Sequence, residues 1–257
     1  MKVSTIFRNF GKAVKKVIPV IGWILIWQFA AVYVKQEMLI ASPVSVFIKL
    51  FELSLSPGFW QSIYFSLSRV IRGFLFAFFG GILSGALAYK FMPVKAFLNP
   101  AMSVIKASPV ASYTIICLLF MPSKNLSVFI SFMMALPIIY INVLQGLLNT
   151  DKKLLEMAQV FKISPFKKAL YIYSSELMPF LLSASSLSLG LCWKSGIAAE
   201  VIGLPLGSIG EKLYQAKIFV DTKELFAWTI VIIALSFLFE KVFIELLKKL
   251  MEKIERL

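Results

Sequence analysis

The chain has 257 residues, 59% of them hydrophobic and only 16% charged, with a mean hydropathy of +0.84. A soluble domain is about half apolar and about a quarter charged, so a soluble globule is excluded and lipid must solvate part of this surface. The formal charge of +14, from 27 Lys+Arg against 13 Asp+Glu, would suggest nucleic acid in a soluble protein. In a membrane protein it reports orientation instead, because cytoplasmic loops collect Lys and Arg, and no nucleic-acid partner is expected.

The N-terminus is basic and then apolar, as in a signal peptide, but no small-x-small cleavage site follows Val34, so residues 17–34 are read as a retained first helix. This uncharged run covers about 27 Å at about 1.5 Å per residue, close to the bilayer core. Further membrane helices are predicted at 73–89, 107–121, 126–148, 177–200 and 225–247. The predicted fold is thus an all-α integral membrane protein, a single domain over 1–257 with about six transmembrane helices. Basic residues crowd into 1–16, 90–95, 149–176 and the C-terminal end, whereas the opposite segments hold only Lys35, Lys49, Lys124, Lys212, Lys217 and Lys223. That bias places both termini and the 149–176 loop in the cytoplasm of a multi-pass protein of a prokaryotic plasma (inner) membrane.

The 149–176 loop is not a featureless linker. Leu154, Leu155, Ala158 and Phe161 recur at helical spacing over Asp151 to Phe161, after candidate N-caps at Asn149, Thr150 and Asp151. Ser164 followed by Pro165 reads as a second helix start, a capping side chain before a proline at the first helical position. A basic loop held at anionic headgroups explains the lysines but not the two helix starts.

Several residue patterns now resemble one family, the permease subunits of binding-protein-dependent ABC importers. Glu156-Met157-Ala158, then Lys162, then Leu177-Met178-Pro179 resembles that family's Glu-Ala-Ala signature loop. Ser66 to Phe74 is similar to the start of its second helix, and Ala107-Ser108-Pro109-Val110-Ala111 to its proline-containing third helix. Trp193-Lys194-Ser195-Gly196-Ile197-Ala198-Ala199-Glu200 resembles the branch that imports nitrate, sulfonates, taurine, bicarbonate and thiamine precursors. The resemblance runs in order over roughly residues 17 to 250. Met157 stands where Ala is usual, Lys162 where Gly is usual, and Ser174-Ser175 where a first Leu-Pro is common. If the turn at Lys162 needs a positive φ, a Lys there costs about 1 kcal/mol.

The resemblance implies a type I importer permease fold in which 149–176 is a cytoplasmic coupling loop. Glu156, Met157, Ala158, Lys162, Ser164 and Pro165 would couple to a cytoplasmic ATPase. It also implies a second permease copy, an extracytoplasmic solute-binding protein, and ATP with Mg held by the partner ATPase rather than by this chain. The sequence agrees that the chain itself is no enzyme: it has no Gly-x-x-x-x-Gly-Lys-Ser/Thr loop and no nucleophile elbow. It has no His, and Cys117 and Cys192 lie in apolar stretches without metal-ligand spacing, so no cofactor or metal is expected.

Polar residues at membrane depth usually face a cavity or a partner. Pro109, Trp193, Lys194 and Glu200 are the candidates for the translocation pathway; a structural charge pair is the alternative for Lys194 and Glu200. Those two stand six apart, so pairing on one helix needs a break, which Gly196 could supply. Gly81 and Gly85 form a small-residue helix-packing face, and Pro109 and Pro137 are expected to kink their helices. The expected solute is a small anion or a small polar organic molecule: Arg69, Arg72 and Lys194, set against Glu200, would make a basic entrance that steers an anion, with anchoring of the second span at the outer headgroups as the alternative for the two arginines. The competing readings are an importer permease of another branch, for amino acids or glycine betaine, and a membrane scaffold or receptor subunit with no pathway.

Overall fold

The computed structural model describes the backbone of residues 2–255 and the side chains of 18–253. The side chains of the basic stretch 1–16, and Arg256, lie outside the described residues. All described secondary structure is helical: α1 (Lys2–Val34), α2 (Pro43–Ser54), α3 (Pro57–Lys90), α4 (Met92–Ala107), α5 (Val110–Leu118), α6 (Ser123–Leu148), α7 (Lys152–Val160), α8 (Pro165–Lys168), α9 (Ser174–Gly203), α10 (Ile209–Ile218) and α11 (Thr222–Glu255). A single π-helical turn, Ala169–Tyr173, joins α8 to α9. Contacts divide the chain into two units, residues 1–60 with 212–230 and residues 61–211 with 231–257.

In the smaller unit, Ser42 caps α2 through a bond from the Ser45 N–H and Pro43 occupies the first turn. The inward side of α2 buries Val46 with Ala41 and Ala227, covered by Trp27, Leu50, Leu53, Phe226 and Ile230. Lys49 Nζ bridges Asp221 (3.2 Å) and Glu224 (3.6 Å), tying α2 to the start of α11. Burial acts to lower the Lys49 pKa, but the hydrogen bond and charge of Asp221 and the charge of Glu224 outweigh it and hold the ammonium above its usual range. Burial likewise opposes ionisation of Asp221. The Glu224 N–H and Lys49 prevail and keep its carboxyl below the usual range. Both charges are therefore present at neutral pH. Their contribution is lost below the lowered Asp221 pKa and above the raised Lys49 pKa.

In the larger unit, α6 and α9 form the central helix pair. Serines line the seam: Ser131 Oγ donates to the Cys192 carbonyl (3.2 Å), and the Cys192 thiol donates back to the Ser131 carbonyl (3.3 Å). Small residues let membrane helices approach until such bonds form. The helix α3 packs on both, its Gly73 against Ser131 of α6 and its Val70 against Gly196 of α9. A Cβ on Gly81 or Gly85 would collide with Ile139 and Val143, and one on Gly73 with the Val128 carbonyl oxygen, so all three glycines are points of close approach. Phe74 and Phe78 of α3 make edge-on contacts with Phe239 and Phe243 of α11.

Three helical stretches are long and apolar enough to cross a membrane, Pro57–Lys90, Ser123–Leu148 and Pro165–Gly203; α4 with α5, bent by 100° between them, makes a fourth if taken as one broken span. About six were expected. The 73–89 span is the second half of α3, which starts sixteen residues earlier because Arg69 and Arg72 sit inside the helix rather than at its mouth. The 107–121 span is replaced by the α4–α5 pair; Ser108 and Pro109 are extended, and the proline starts α5 instead of kinking a continuous helix. The 225–247 segment lies within α11, where Glu240 and Lys241 interrupt the apolar run. Ile18–Val34 is a shorter apolar helix.

Candidate translocation site and coupling loop

The loop from 149 to 176 builds two short helices. Asp151 Oδ1 accepts the Lys153 N–H at 2.8 Å to start α7, and Ser164 caps α8 with Pro165 at its first position. Between them Lys162 takes φ +52°, the left-handed conformation that the turn demands. Its strain, about 1 kcal/mol for a residue with a Cβ, is offset by bonds of Lys162 N–H to the Gln159 carbonyl and of Ile163 N–H to the Ala158 carbonyl. Ala158 is buried against its own chain, where its small size lets the loop close on itself. The outward surface is apolar and basic: Met157, Val160, Phe161 and Phe166 are exposed beside Glu156, Lys152, Lys153, Lys162 and Lys167. Phe161 and Phe166 are 73% and 76% exposed, a cost in water that a covering partner would remove.

The chain leaves this loop through α8 and the π turn directly into α9, so 165–203 is one helical rod of 39 residues. At about 1.5 Å per residue it is about 58 Å long. Midway, it forms one wall of an open cavity of about 590 Å³, with α4 and α6 as the others. Lys106 of α4 and Lys194 of α9 both line it, together with Asn142, Ser186 and Gly190 and a floor of Ile138, Ile141, Leu187 and Leu191. The Ser186 hydroxyl is turned to the Glu240 carboxylate of α11, and the Asn142 amide nitrogen to the Ile138 carbonyl (2.8 Å). The polar groups left to face the cavity are mainly the two amines.

The four residues read as pathway candidates do not meet. Lys194 is exposed to the cavity, whereas Trp193 and Glu200 are fully buried and Pro109 is at the surface outside this cavity. Nor does Gly196 break α9: a Cβ there would meet Ser131 Oγ and Val70, so its role is close helix contact, and Lys194 and Glu200 stay on different faces. The two arginines separate as well. Arg69 is committed, its Nε donating to the Lys124 carbonyl (2.6 Å) and its guanidinium stacked over Phe65. Arg72 lines a different cavity, of about 620 Å³, with Asn125 and aromatic side chains. Lys106, hidden in the sequence among the residues at span ends, is the cation that joins Lys194.

Glu200 instead closes a polar cluster at the far end of α9. Ser66 Oγ of α3 donates to Glu200 Oε2 (2.6 Å) and accepts the Ile209 N–H (2.9 Å), while the Gly210 N–H reaches the same carboxylate oxygen at 3.3 Å. Two turns of left-handed backbone, Leu204 (φ +46°) and Gly207 (φ +78°), bring the chain back onto α9. Gly210 is required there, since any Cβ would collide with the Glu200 backbone and Cβ. Ser208 caps α10 by accepting the Glu211 N–H, and Glu211 reaches back to the Gly207 N–H.

A multi-helix chain with a bent α4–α5 pair, a cavity lined by two lysines and a two-helix loop fits the class of transport permeases. Comparison with known families specifies the class: residues 77–253 match the binding-protein-dependent transport system inner membrane component, and the chain belongs to that family. Curated relatives cover most of its length. A protein named for aliphatic-sulfonate transport, SsuC of Bacillus subtilis, is 26% identical over 210 residues, 81% of this chain and 76% of its own. The bicarbonate transport system permease CmpB of Synechococcus elongatus is 26% identical, covering 77% of this chain and 74% of its own. The nitrate import permease NrtB of Leptolyngbya laminosa is 27% identical, covering 75% and 73%.

Proposed function

We propose that this inner-membrane component is the pathway-forming permease of an ATP-driven importer for a small anion. The observation that carries the anionic reading is the placement of Lys106 and Lys194 on one cavity within the membrane helices. Two amines at that depth are costly unless a cavity or a counter-charge receives them, and an anion passing through is such a charge. Relatives named for sulfonate, bicarbonate and nitrate support the same choice. Tight binding is not required, because the extracytoplasmic binding protein selects the solute and the cavity has only to lower the barrier to its passage.

The exposed apolar and basic face of α7 and α8 is the docking site for a cytoplasmic ATPase, which holds ATP and Mg; this chain binds neither. Both termini and the loop lie in the cytoplasm, in keeping with the lysines of 149–176. A second copy of the permease completes the pathway by covering the open side of the cavity.

Reconstitution with the ATPase and the binding protein in proteoliposomes tests the reading. ATP-dependent uptake of nitrate, bicarbonate or an alkanesulfonate is expected, without uptake of glycine betaine or a neutral amino acid. Uptake of the zwitterions alone would move the protein to another branch, and no ATP-dependent uptake of any solute would favour a scaffold or receptor.

A further inference from the structure

The buried cluster around Glu200 has features that simple packing does not require. Its carboxylate and the hydroxyl of Ser127 on α6 are both fully buried and interact with one another, but without good hydrogen-bond geometry. A poorly made bond at such a site leaves part of the burial cost uncompensated. The backbone leading away is held at Leu204 in the left-handed region, immediately before Pro205, a combination that a residue with a Cβ adopts only under constraint. The strain is concentrated in the few residues that return the chain from α9 to α10. Against it stand local backbone and capping bonds, while the side-chain bonds that tie the turn to α3 and α9 pass through Ser66 Oγ or Glu200 Oε2.

The geometry points to Glu200 and Ser66 as a latch: it holds the turn 204–210 against α3 and the end of α9, and it opens and closes during the transport cycle. The rod 165–203 ties the latch to the coupling loop, because α9 runs without a break from the π turn to Glu200. Ser66 belongs to α3, which is not part of that rod. Any displacement of α9 along α3 therefore shears the Ser66–Glu200 bond and releases the Ile209 N–H with it. The Ser127 hydroxyl, which already interacts with the carboxylate, can tighten that bond once Ser66 is lost, so the open arrangement is not left with a bare buried charge. Glu200 in this account is a positioning residue. It does not touch the solute; Lys194, six residues earlier and on another face, lines the cavity. The inference rests on the importer reading above.

Ile209 is fully buried behind the latch and makes a reporter. In a chain with Cys117 and Cys192 replaced by Ala, I209C is assembled with its ATPase in nanodiscs and exposed to a maleimide, with and without trapped ATP. Slow labelling is expected without nucleotide, rising about tenfold with it, in line with the worth of one charge-assisted bond. Ser66→Ala should make labelling fast in both states, and Ser66→Thr, which keeps the hydroxyl, should restore the difference; loss of mere packing would not be rescued this way. Labelling that ignores nucleotide while uptake proceeds overturns the latch and leaves the importer intact. So does a Ser66→Ala chain with the wild-type ratio. Absence of any ATP-dependent uptake overturns the importer reading itself.

Discussion

The two ends of the 165–203 rod solve opposite problems. At the loop end, short capped helices carry Met157, Val160, Phe161 and Phe166 into solvent, and the only strained residue, Lys162, is compensated by local backbone bonds. At the Glu200 end Ser66, Ser127, Glu200 and Ser208 are all buried, glycine is forced by contact, and the Ser127–Glu200 interaction lacks good hydrogen-bond geometry. The first end is finished within itself and leaves an apolar face uncovered, as the proposed docking requires. The second has its partners inside the chain and is incompletely satisfied. A region that docks can be stiff and exposed, whereas a region that switches needs alternatives close in energy.

The largest effect should come from breaking the docking end. Glu156→Lys reverses a charge on the exposed face of α7; loss of a central contact of about 2 kcal/mol or more should reduce uptake by at least about tenfold and release the ATPase in a pull-down. The chain should still insert into the membrane. Next is the packed end: Gly210→Ala forces a Cβ into Glu200 and should destabilise the purified protein by about 1–3 kcal/mol, read as a lowered melting temperature. Gly190→Ala, where nothing lies within 4 Å, is the control and should be neutral or slightly stabilising.

Between the two ends lies the cavity. Lys106→Gln and Lys194→Gln should each weaken uptake several-fold and flatten its salt dependence, since each removes one steering charge. Arg69→Gln, whose guanidinium is bonded to the Lys124 carbonyl, should leave that salt dependence unchanged. If all three leave uptake and its salt dependence unaltered, the charges belong to architecture. The smallest effect is expected at the loop turn, where Lys162→Gly relieves a left-handed φ of +52°. It should gain at most about 1 kcal/mol in stability, reduced by the entropy of glycine in the unfolded chain, with uptake unchanged.

What could be read from sequence follows the same division. The loop is governed by local chemistry, Asp151 and Ser164 as caps and Pro165 in a first turn, and local chemistry is visible in a string of letters. The central membrane helices at 126–148 and in 165–203 were visible for a similar reason, as uncharged runs. The α4–α5 break was not, because Lys95 and Lys106 disguise α4 and Pro109 reads equally as a kink or a start. The helix α2 is apolar but, at 12 residues, too short to read as a span, and α10 lies in a segment that looks like a loop by hydropathy. Glu200 was visible as a residue out of place, but its partner Ser66 stands 134 positions away, and only folding brings them together. Pairing of Lys194 with Lys106 across α9 and α4 was hidden in the same way.

The claim that the two ends act through one rod is tested by disabling one and reading the other. The I209C chain carrying Glu156→Lys is compared with the I209C chain alone, in nanodiscs with ATPase supplied in excess, by maleimide labelling with and without trapped ATP. The account predicts that Glu156→Lys abolishes the nucleotide-dependent rise at position 209 while leaving the slow nucleotide-free rate unchanged. A rise of the same size in both chains would show that the Glu200 end opens without the loop, and would contradict it.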